Sequence, residues 1–278
     1  MGSRFSRSWQ MIKHSASLLQ QDRELLVFPL LSSIAALLVL ASFIPLFALE
    51  TTAPDEQNPI NLIALGLLYL AEYFVMFFFN TALVGAALIR MDGGDPTVRD
   101  GLRIAWSKVG QIFGYAMIAA TVGVLLRAIG QRFGFIGRLI VGLFGVAWTA
   151  ASFLTVPILV SRNIGPIDAV KESASLLKRT WGENVLSNAG IGLIFMLIYV
   201  LVFVVAGVLL SLVIQTGNMP LILGVVAISF FGMLALGLFQ AALQGILSAV
   251  LYRFATDGQD TGGFSSSDLS HAFVTRLK

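Results

Sequence analysis

The acidic residue best placed for proton or ion chemistry in this sequence stands inside a long apolar run. Glu72 lies twelve positions after Ile60, where that run begins, which is about 18 Å along a helix that rises 1.5 Å per residue. A charge at such a depth costs on the order of 2.5–3.5 kcal/mol on membrane-insertion scales. Glu72 is therefore expected to face protein or water rather than lipid.

Other polar residues share one side of the same predicted helix. At 100° per residue an arc of about 100° contains Asn61, Tyr69, Glu72 and Asn80. A similar line on the last apolar run consists of Gln240, Gln244 and Ser248. If the two faces meet, they form a candidate polar site inside the membrane, made of Glu72, Tyr69, Asn80, Gln240 and Gln244.

Two interpretations of Glu72 stay open. It is either the centre of a polar cavity or of a proton or ion path, or it is a structural carboxyl group. In the structural case, tyrosine and asparagine groups hold it, or it pairs with Arg127 or Arg138. If they do not pair with Glu72, these two arginines and Arg132 are predicted to extend to the outer lipid headgroups. There they are either simply solvated or bind a lipid phosphate.

Patterns typical of enzymes are missing or isolated. The sequence has no cysteine, and its two histidines, His14 and His271, lie in separate polar segments. Ser175–Lys178 fits the Ser-x-x-Lys pattern of some acyl-enzymes but lacks the companion motif and falls within a repeated segment. We predict a protein that is not an enzyme and carries neither cofactor nor metal.

The elements that must position these residues are membrane spans. The chain of 278 residues is 57% hydrophobic and 12% charged, and its mean hydropathy is +0.86, values typical of a polytopic membrane protein. Six apolar runs are predicted to be all-α transmembrane helices within one integral domain, residues 1–254. They cover about 25–49 and 60–89, two runs that end near 126 and 160, then 185–214 and 221–252.

An internal repeat organises these spans. Lys13–Leu19 returns as Lys171–Leu177 with six of seven residues identical, and Phe79–Gly85 returns in part as Phe239–Gly245. Two echoes at offsets of 158 and 160 residues indicate a duplication. The predicted units are residues 5–90, 96–160 and 166–254. Each unit is a cytoplasmic amphipathic helix followed by a hairpin of two spans, and the three hairpins share one orientation.

The amphipathic helices carry basic residues and tryptophans. Apolar side chains recur at helical spacing over residues 5–19, 98–112 and 167–181. A tryptophan on such a helix suits the headgroup zone of a bilayer, although packing against the protein itself explains the same pattern. The candidate lipid-headgroup contacts are Trp9, Lys13, Trp106, Lys171, Lys178, Arg179 and Trp181.

Basic residues predict the orientation in the membrane. Fifteen of the 18 Lys and Arg residues flank the spans on one side, and only Arg127, Arg132 and Arg138 lie on the other. The positive-inside rule then places both termini in the cytoplasm, including the polar tail 255–278 with its predicted short helix. The net charge of +3 is thus assigned to a membrane surface and not to nucleic acid.

Four short strings resemble one family. They are FPLL at 28–31, GDPTVRDG at 94–101, GPIDA at 165–169 and TWGE at 180–183, and they resemble an uncharacterised family of bacterial six-helix membrane proteins, a domain of unknown function. The layout is more distantly similar to the membrane domain of glycerophosphodiester phosphodiesterases, whose catalytic barrel is absent here. The resemblance implies a bacterial inner membrane and supplies no catalytic residue.

Two functional hypotheses follow. The first is a non-enzymatic inner-membrane protein that binds lipid or a partner and serves envelope homeostasis. The alternative is a transporter or channel for an ion or small molecule that uses the polar face around Glu72. Membrane lipids are the expected partners, and a protein partner or a homo-oligomer is left open.

Overall fold

The computed structural model describes residues 19, 22–48, 59–181 and 190–257, and these residues form helices and turns without a strand. Six of the described helical segments are long and apolar enough to cross a membrane, so the predicted all-α membrane class is confirmed. A short 3-10 helix, Arg23–Leu26, precedes them. The α-helices are α1 Val27–Ala48, α2 Pro59–Met91, α3 Val98–Ser107, α4 Val109–Arg132, α5 Gly134–Ser152, α6 Thr155–Ser161, α7 Pro166–Trp181, α8 Gly190–Ile214 and α9 Met219–Asp257.

Local sequence explains where α2 ends and α3 begins. Gly93 adopts a positive φ of 83°, a backbone conformation that favours glycine, and it turns the chain after α2. Thr97 then caps α3: its side chain accepts from the backbone N–H of Asp100, and the Asp100 side chain accepts from the backbone N–H of Thr97. This reciprocal capping box satisfies two N–H groups that a helix start leaves unpaired.

The sequence predicted the fourth span as a single apolar run that ends near residue 160. In the structure this span consists of two helices. It divides into α5 and α6 at Phe153 and Leu154. Pro157 has no backbone N–H and cannot bond to the carbonyl four residues earlier, which weakens a helix at this point. The apolar run continues through the break, and for this reason hydropathy alone does not reveal it.

The buried core lies at one end of the spans. Continuous buried stretches cover residues 81–88 of α2, 154–159 across the break and 245–252 of α9. In contrast, α8 and the first part of α9 expose most of their large apolar side chains. Such exposure suits a helix surrounded by lipid, whose tails are as apolar as the side chains.

Consecutive spans pack in pairs, α1 with α2, α4 with α5 and α8 with α9, and α2 also packs on α4, α6 and α9. The short helices pack on the spans that precede them, α3 on α2 and α7 on α5 and α6. Gly101 allows α3 to pack closely against α1 and α2. An added Cβ at this position would lie 2.5 Å from Phe28 Cζ and 2.7 Å from the Ala82 carbonyl oxygen.

Of the helix predicted over residues 5–19, residues 5–18 lie outside the described residues, as does the tail beyond 257. Leu19 is described, and it is buried in the same core as its repeat counterpart Leu177. The last span continues to Asp257, five residues past the predicted end at 252.

Candidate functional site

Glu72 occupies the half of α2 that begins at Pro59, thirteen residues or about 20 Å from that end. Its side chain is half-buried. Among the described residues its carboxylate forms neither a hydrogen bond nor an ion pair, so the structural alternative of an ion pair with Arg127 or Arg138 is absent there. The carboxylate is therefore partly removed from solvent, and no charge among the described residues compensates it.

Arg127 contacts the tyrosine one turn before Glu72. Its Nη1 donates to the Tyr69 hydroxyl at 3.3 Å, which joins α4 to α2. Tyr69 stacks on Tyr73 with ring centroids 6.4 Å apart, and Tyr73 stacks on Phe77 at 5.8 Å. One side of α2 is thus an aromatic row that ends at Arg127, a residue predicted either to pair with Glu72 or to reach the headgroups.

A set of buried and partly buried hydroxyl groups continues from this row. Phe77 stacks on Tyr115 at 4.2 Å, and the buried Tyr115 hydroxyl faces the hydroxyls of Ser152 and Thr155. Thr155 Oγ1 is fully buried and completes no hydrogen bond in the described structure. Sequence reasoning missed this cluster because single hydroxyl residues in apolar runs have no periodic pattern. The signal that was available was the pair of hydroxyl residues just before Pro157.

Asn80 reaches the last span, whereas the two glutamines are not gathered around it. Asn80 Oδ1 lies 3.1 Å from where a Cβ on Gly245 would stand, and Leu83 contacts the same point. Gln240 is half-buried and Gln244 is exposed. The five residues of the predicted polar site are therefore spread along α2 and α9, and the side chain of Asn61 lies outside the described part.

Trp106 and the basic residues of α7 lie at the end of the molecule that holds the core. Trp106 is 64% exposed, yet its ring meets Phe78 of α2 edge-on at a centroid distance of 5.3 Å. Lys171, Lys178 and Arg179 are exposed; Lys171 lies 3.8 Å from Asp168. The side chains of Trp9, Lys13 and Trp181 are outside the described residues.

Charged residues also connect the helix ends to one another. Glu24 Oε2 accepts from the backbone N–H of Val98 at 2.9 Å, which fastens the start of the first span to α3. Arg253 of α9 pairs with Asp92 after α2. Arg90 donates to Asp95 at 3.0 Å. These contacts bring the ends of the first, second and sixth spans to the same side of the molecule.

Two carboxyl groups outside the spans have shifted pKa values. Burial raises the pKa of Asp22, although a hydrogen bond from the Glu24 N–H and the nearby Arg90 charge oppose the shift. Hydrogen bonds from the Thr97 side chain and backbone lower the pKa of Asp100. Asp22 is thus held in a setting that favours its neutral form, and Asp100 in one that favours its charge.

The comparisons with known proteins identify a family but no activity. Within the described residues no cluster of three or more His, Cys, Asp or Glu side chains could hold a metal ion. No curated protein matches the chain, and no solved structure matches it. The distant likeness to glycerophosphodiester phosphodiesterases is therefore without support. Residues 59–263 match the Family of unknown function (DUF6159), and since this match covers most of the 278 residues, the chain belongs to that family.

Proposed function

We propose that this protein is a non-enzymatic integral protein of the bacterial inner membrane that binds anionic lipid headgroups through a cytoplasmic collar. The collar is the surface formed by Trp106, Lys171, Lys178 and Arg179, together with Trp9, Lys13 and Trp181 beyond the described residues. It belongs to the three amphipathic helices that precede three hairpins of one orientation. Envelope homeostasis is the broader role that such binding would serve.

The observation that carries the proposal is the position of Trp106. A tryptophan that is 64% exposed and still contacts Phe78 within an apolar span fits the boundary between acyl chains and headgroups, where aromatic rings concentrate. Arg103 stands one turn earlier on α3 with 70% of its side chain exposed. A ring at the boundary with a cation beside it favours an anionic surface.

The charges on α7 add to this attraction. Lys178 and Arg179 lie in the last turn of α7, where cations also stabilise the helix end, and both side chains are exposed. Each basic residue close to an anionic membrane contributes about 1 kcal/mol of attraction. Stabilising the helix end requires only the positive charges, whereas binding lipid also requires that these charges are accessible. The exposed side chains of Lys178 and Arg179 meet that requirement.

The double variant Lys178→Gln with Arg179→Gln tests the collar. Losing two cations should weaken binding of phosphatidylglycerol about 30-fold, while phosphatidylcholine binding stays unchanged. Native mass spectrometry of the detergent-purified protein, titrated with each lipid, measures both. The matched control is Arg132→Gln with Arg138→Gln, which removes two charges at the opposite ends of the spans. Equal phosphatidylglycerol binding by the parent and the collar variant would refute the proposal.

A second candidate function is a proton- or ion-coupled transporter or channel, and it is favoured by Glu72. The half-buried Glu72 carboxylate has no charged partner among the described residues, and buried ionisable groups in spans commonly mark ion pathways. Glu72→Gln should then abolish a pH-gradient-driven flux in proteoliposomes while the melting temperature is preserved. Tyr69→Phe, which keeps the aromatic row, serves as the comparison. If the parent protein carries no flux of any ion tested, with or without a pH gradient, this function is excluded.

A further inference from the structure

The break in the fourth span places non-helical backbone inside an apolar stretch. Between α5 and α6 Phe153 keeps helical dihedral angles, whereas Leu154 departs from them with φ −95° and ψ 5°. The Phe153 N–H bonds to the Ala150 carbonyl at 3.2 Å, the tighter spacing of a 3-10 turn. Backbone groups in an apolar environment require partners within the protein. A break at this depth is therefore stable only if another group satisfies the released backbone.

Ser173 of α7 supplies that partner. The Leu154 N–H donates to Ser173 Oγ at 3.0 Å, and both residues are fully buried. Ser173 belongs to the segment Lys171–Leu177 that repeats Lys13–Leu19. The next serine of the segment, Ser175, is exposed, so only one of the two serines on this helix reaches the span.

Further contacts fix α7 to the same region. Glu172, beside Ser173, pairs with Arg162 at 2.5 Å, and Lys108 Nζ at the start of α4 donates to the Arg162 carbonyl at 3.2 Å. Pro166 at the start of α7 lies against Gly114, where an added Cβ would be 2.9 Å away. The helix that carries Lys171, Lys178 and Arg179 is therefore attached to the hairpin of α4 to α6.

We infer that the break at Phe153–Leu154 is a hinge that α7 clasps through Ser173, so that anionic lipid bound to α7 sets the conformation of the fourth span. The inner face of α7 holds the hinge and its outer face carries the charges, so one rigid helix connects the two. Lipid that holds α7 at the membrane surface stabilises the clasp, and its loss releases the Leu154 N–H. The lipid part of this inference rests on the function proposed above.

Hydrogen–deuterium exchange of the full-length protein in nanodiscs tests the clasp. In Ser173→Ala the Leu154 N–H loses its acceptor, and amides 154–158 should exchange at least about fivefold faster, given the usual penalty for an unpaired buried N–H. Ser175→Ala is the matched control and should exchange like the parent. Unchanged exchange in Ser173→Ala would overturn the clasp. Should that variant fail to fold, Glu172→Gln, which loosens α7 from Arg162, should show faster exchange of the same amides.

A second measurement tests the connection to lipid. Exchange of amides 154–158 in the parent should be slower in nanodiscs that contain phosphatidylglycerol than in phosphatidylcholine alone, and the difference should disappear in Lys178→Gln with Arg179→Gln. If phosphatidylglycerol binds and exchange does not respond, the coupling is wrong while the lipid function stands. If phosphatidylglycerol does not bind but Ser173→Ala still accelerates exchange, the lipid function is wrong while the clasp stands.

Discussion

Asp22 shows how a single carboxyl group is constrained where the chain enters the first span. Its Oδ1 accepts from the Glu24 N–H at 3.2 Å, while its buried Oδ2 has no partner in the described structure. Burial raises the pKa of Asp22 despite the nearby charge of Arg90. An ionised Asp22 therefore opposes folding, whereas its hydrogen bond to the backbone supports the start of the helix.

This balance predicts a pH-dependent stability. Because the pKa in the folded state lies above the unfolded value of about 3.9, the folded protein binds the proton more tightly, and the free energy of unfolding rises as pH falls through the folded-state pKa. Asp22→Asn stays neutral and keeps an oxygen for the Glu24 N–H. It should melt at a higher temperature than the parent at neutral pH, with an advantage that shrinks toward about pH 4. A variant that melts lower than the parent at neutral pH would contradict the prediction.

The polar site that residue patterns predicted stays a prediction, although one of its residues does contact the last span. The arc that contains Asn80 identified a face of α2 that does reach α9, at Gly245. The partner of Arg127 was not predicted, because a hydroxyl 58 residues earlier leaves no trace in local periodicity. Tyr115, Ser152 and Thr155 were missed for the same reason, since each is a single polar group in an apolar run.

At the scale of elements, hydropathy located the spans but not their packing. The predicted run 60–89 became α2, Pro59–Met91, because length and apolarity define a span regardless of what surrounds it. Lipid and protein interiors are both apolar, so the pattern could not distinguish the exposed α8 from the buried part of α9. Close helix contacts depend instead on small residues at the crossing point.

Gly245 is such a crossing point between α2 and α9. A Cβ at this position would clash with Leu83 and stand 3.1 Å from Asn80 Oδ1. Gly245→Ala should therefore destabilise the protein by about 1–3 kcal/mol, the usual cost of overpacking. Gly232→Ala, on the same helix with nothing within 4 Å, should be neutral or stabilising, since alanine favours helices by about 1 kcal/mol. Melting temperatures in one detergent compare them, and a Gly245→Ala protein as stable as the Gly232→Ala protein would count against this contact.

At the scale of the whole molecule, one end is held together by protein contacts and the other is left to lipid. Buried side chains and the ion pairs of Arg90 and Arg253 concentrate where α2 and α9 end. Away from this end, α8 and the first part of α9 expose most of their large apolar side chains. The end that holds the buried core is also where α3 and α7 present their exposed basic residues, so a bound lipid surface would act on α7 and on the break that it contacts.

Orientation in the membrane can be tested directly, because the sequence has no cysteine and each introduced thiol is unique. Arg99 on α3 and Thr216 in the turn between α8 and α9 are both exposed and lie at opposite ends of the spans. The excess of Lys and Arg beside α3 predicts that this end lies in the cytoplasm. A membrane-impermeant maleimide should label Arg99→Cys only in inverted vesicles and Thr216→Cys only in right-side-out vesicles. The reverse pattern would place the collar outside the cell and remove the cytoplasmic leaflet as its partner, whereas labelling of both thiols from one side would refute the hairpins themselves.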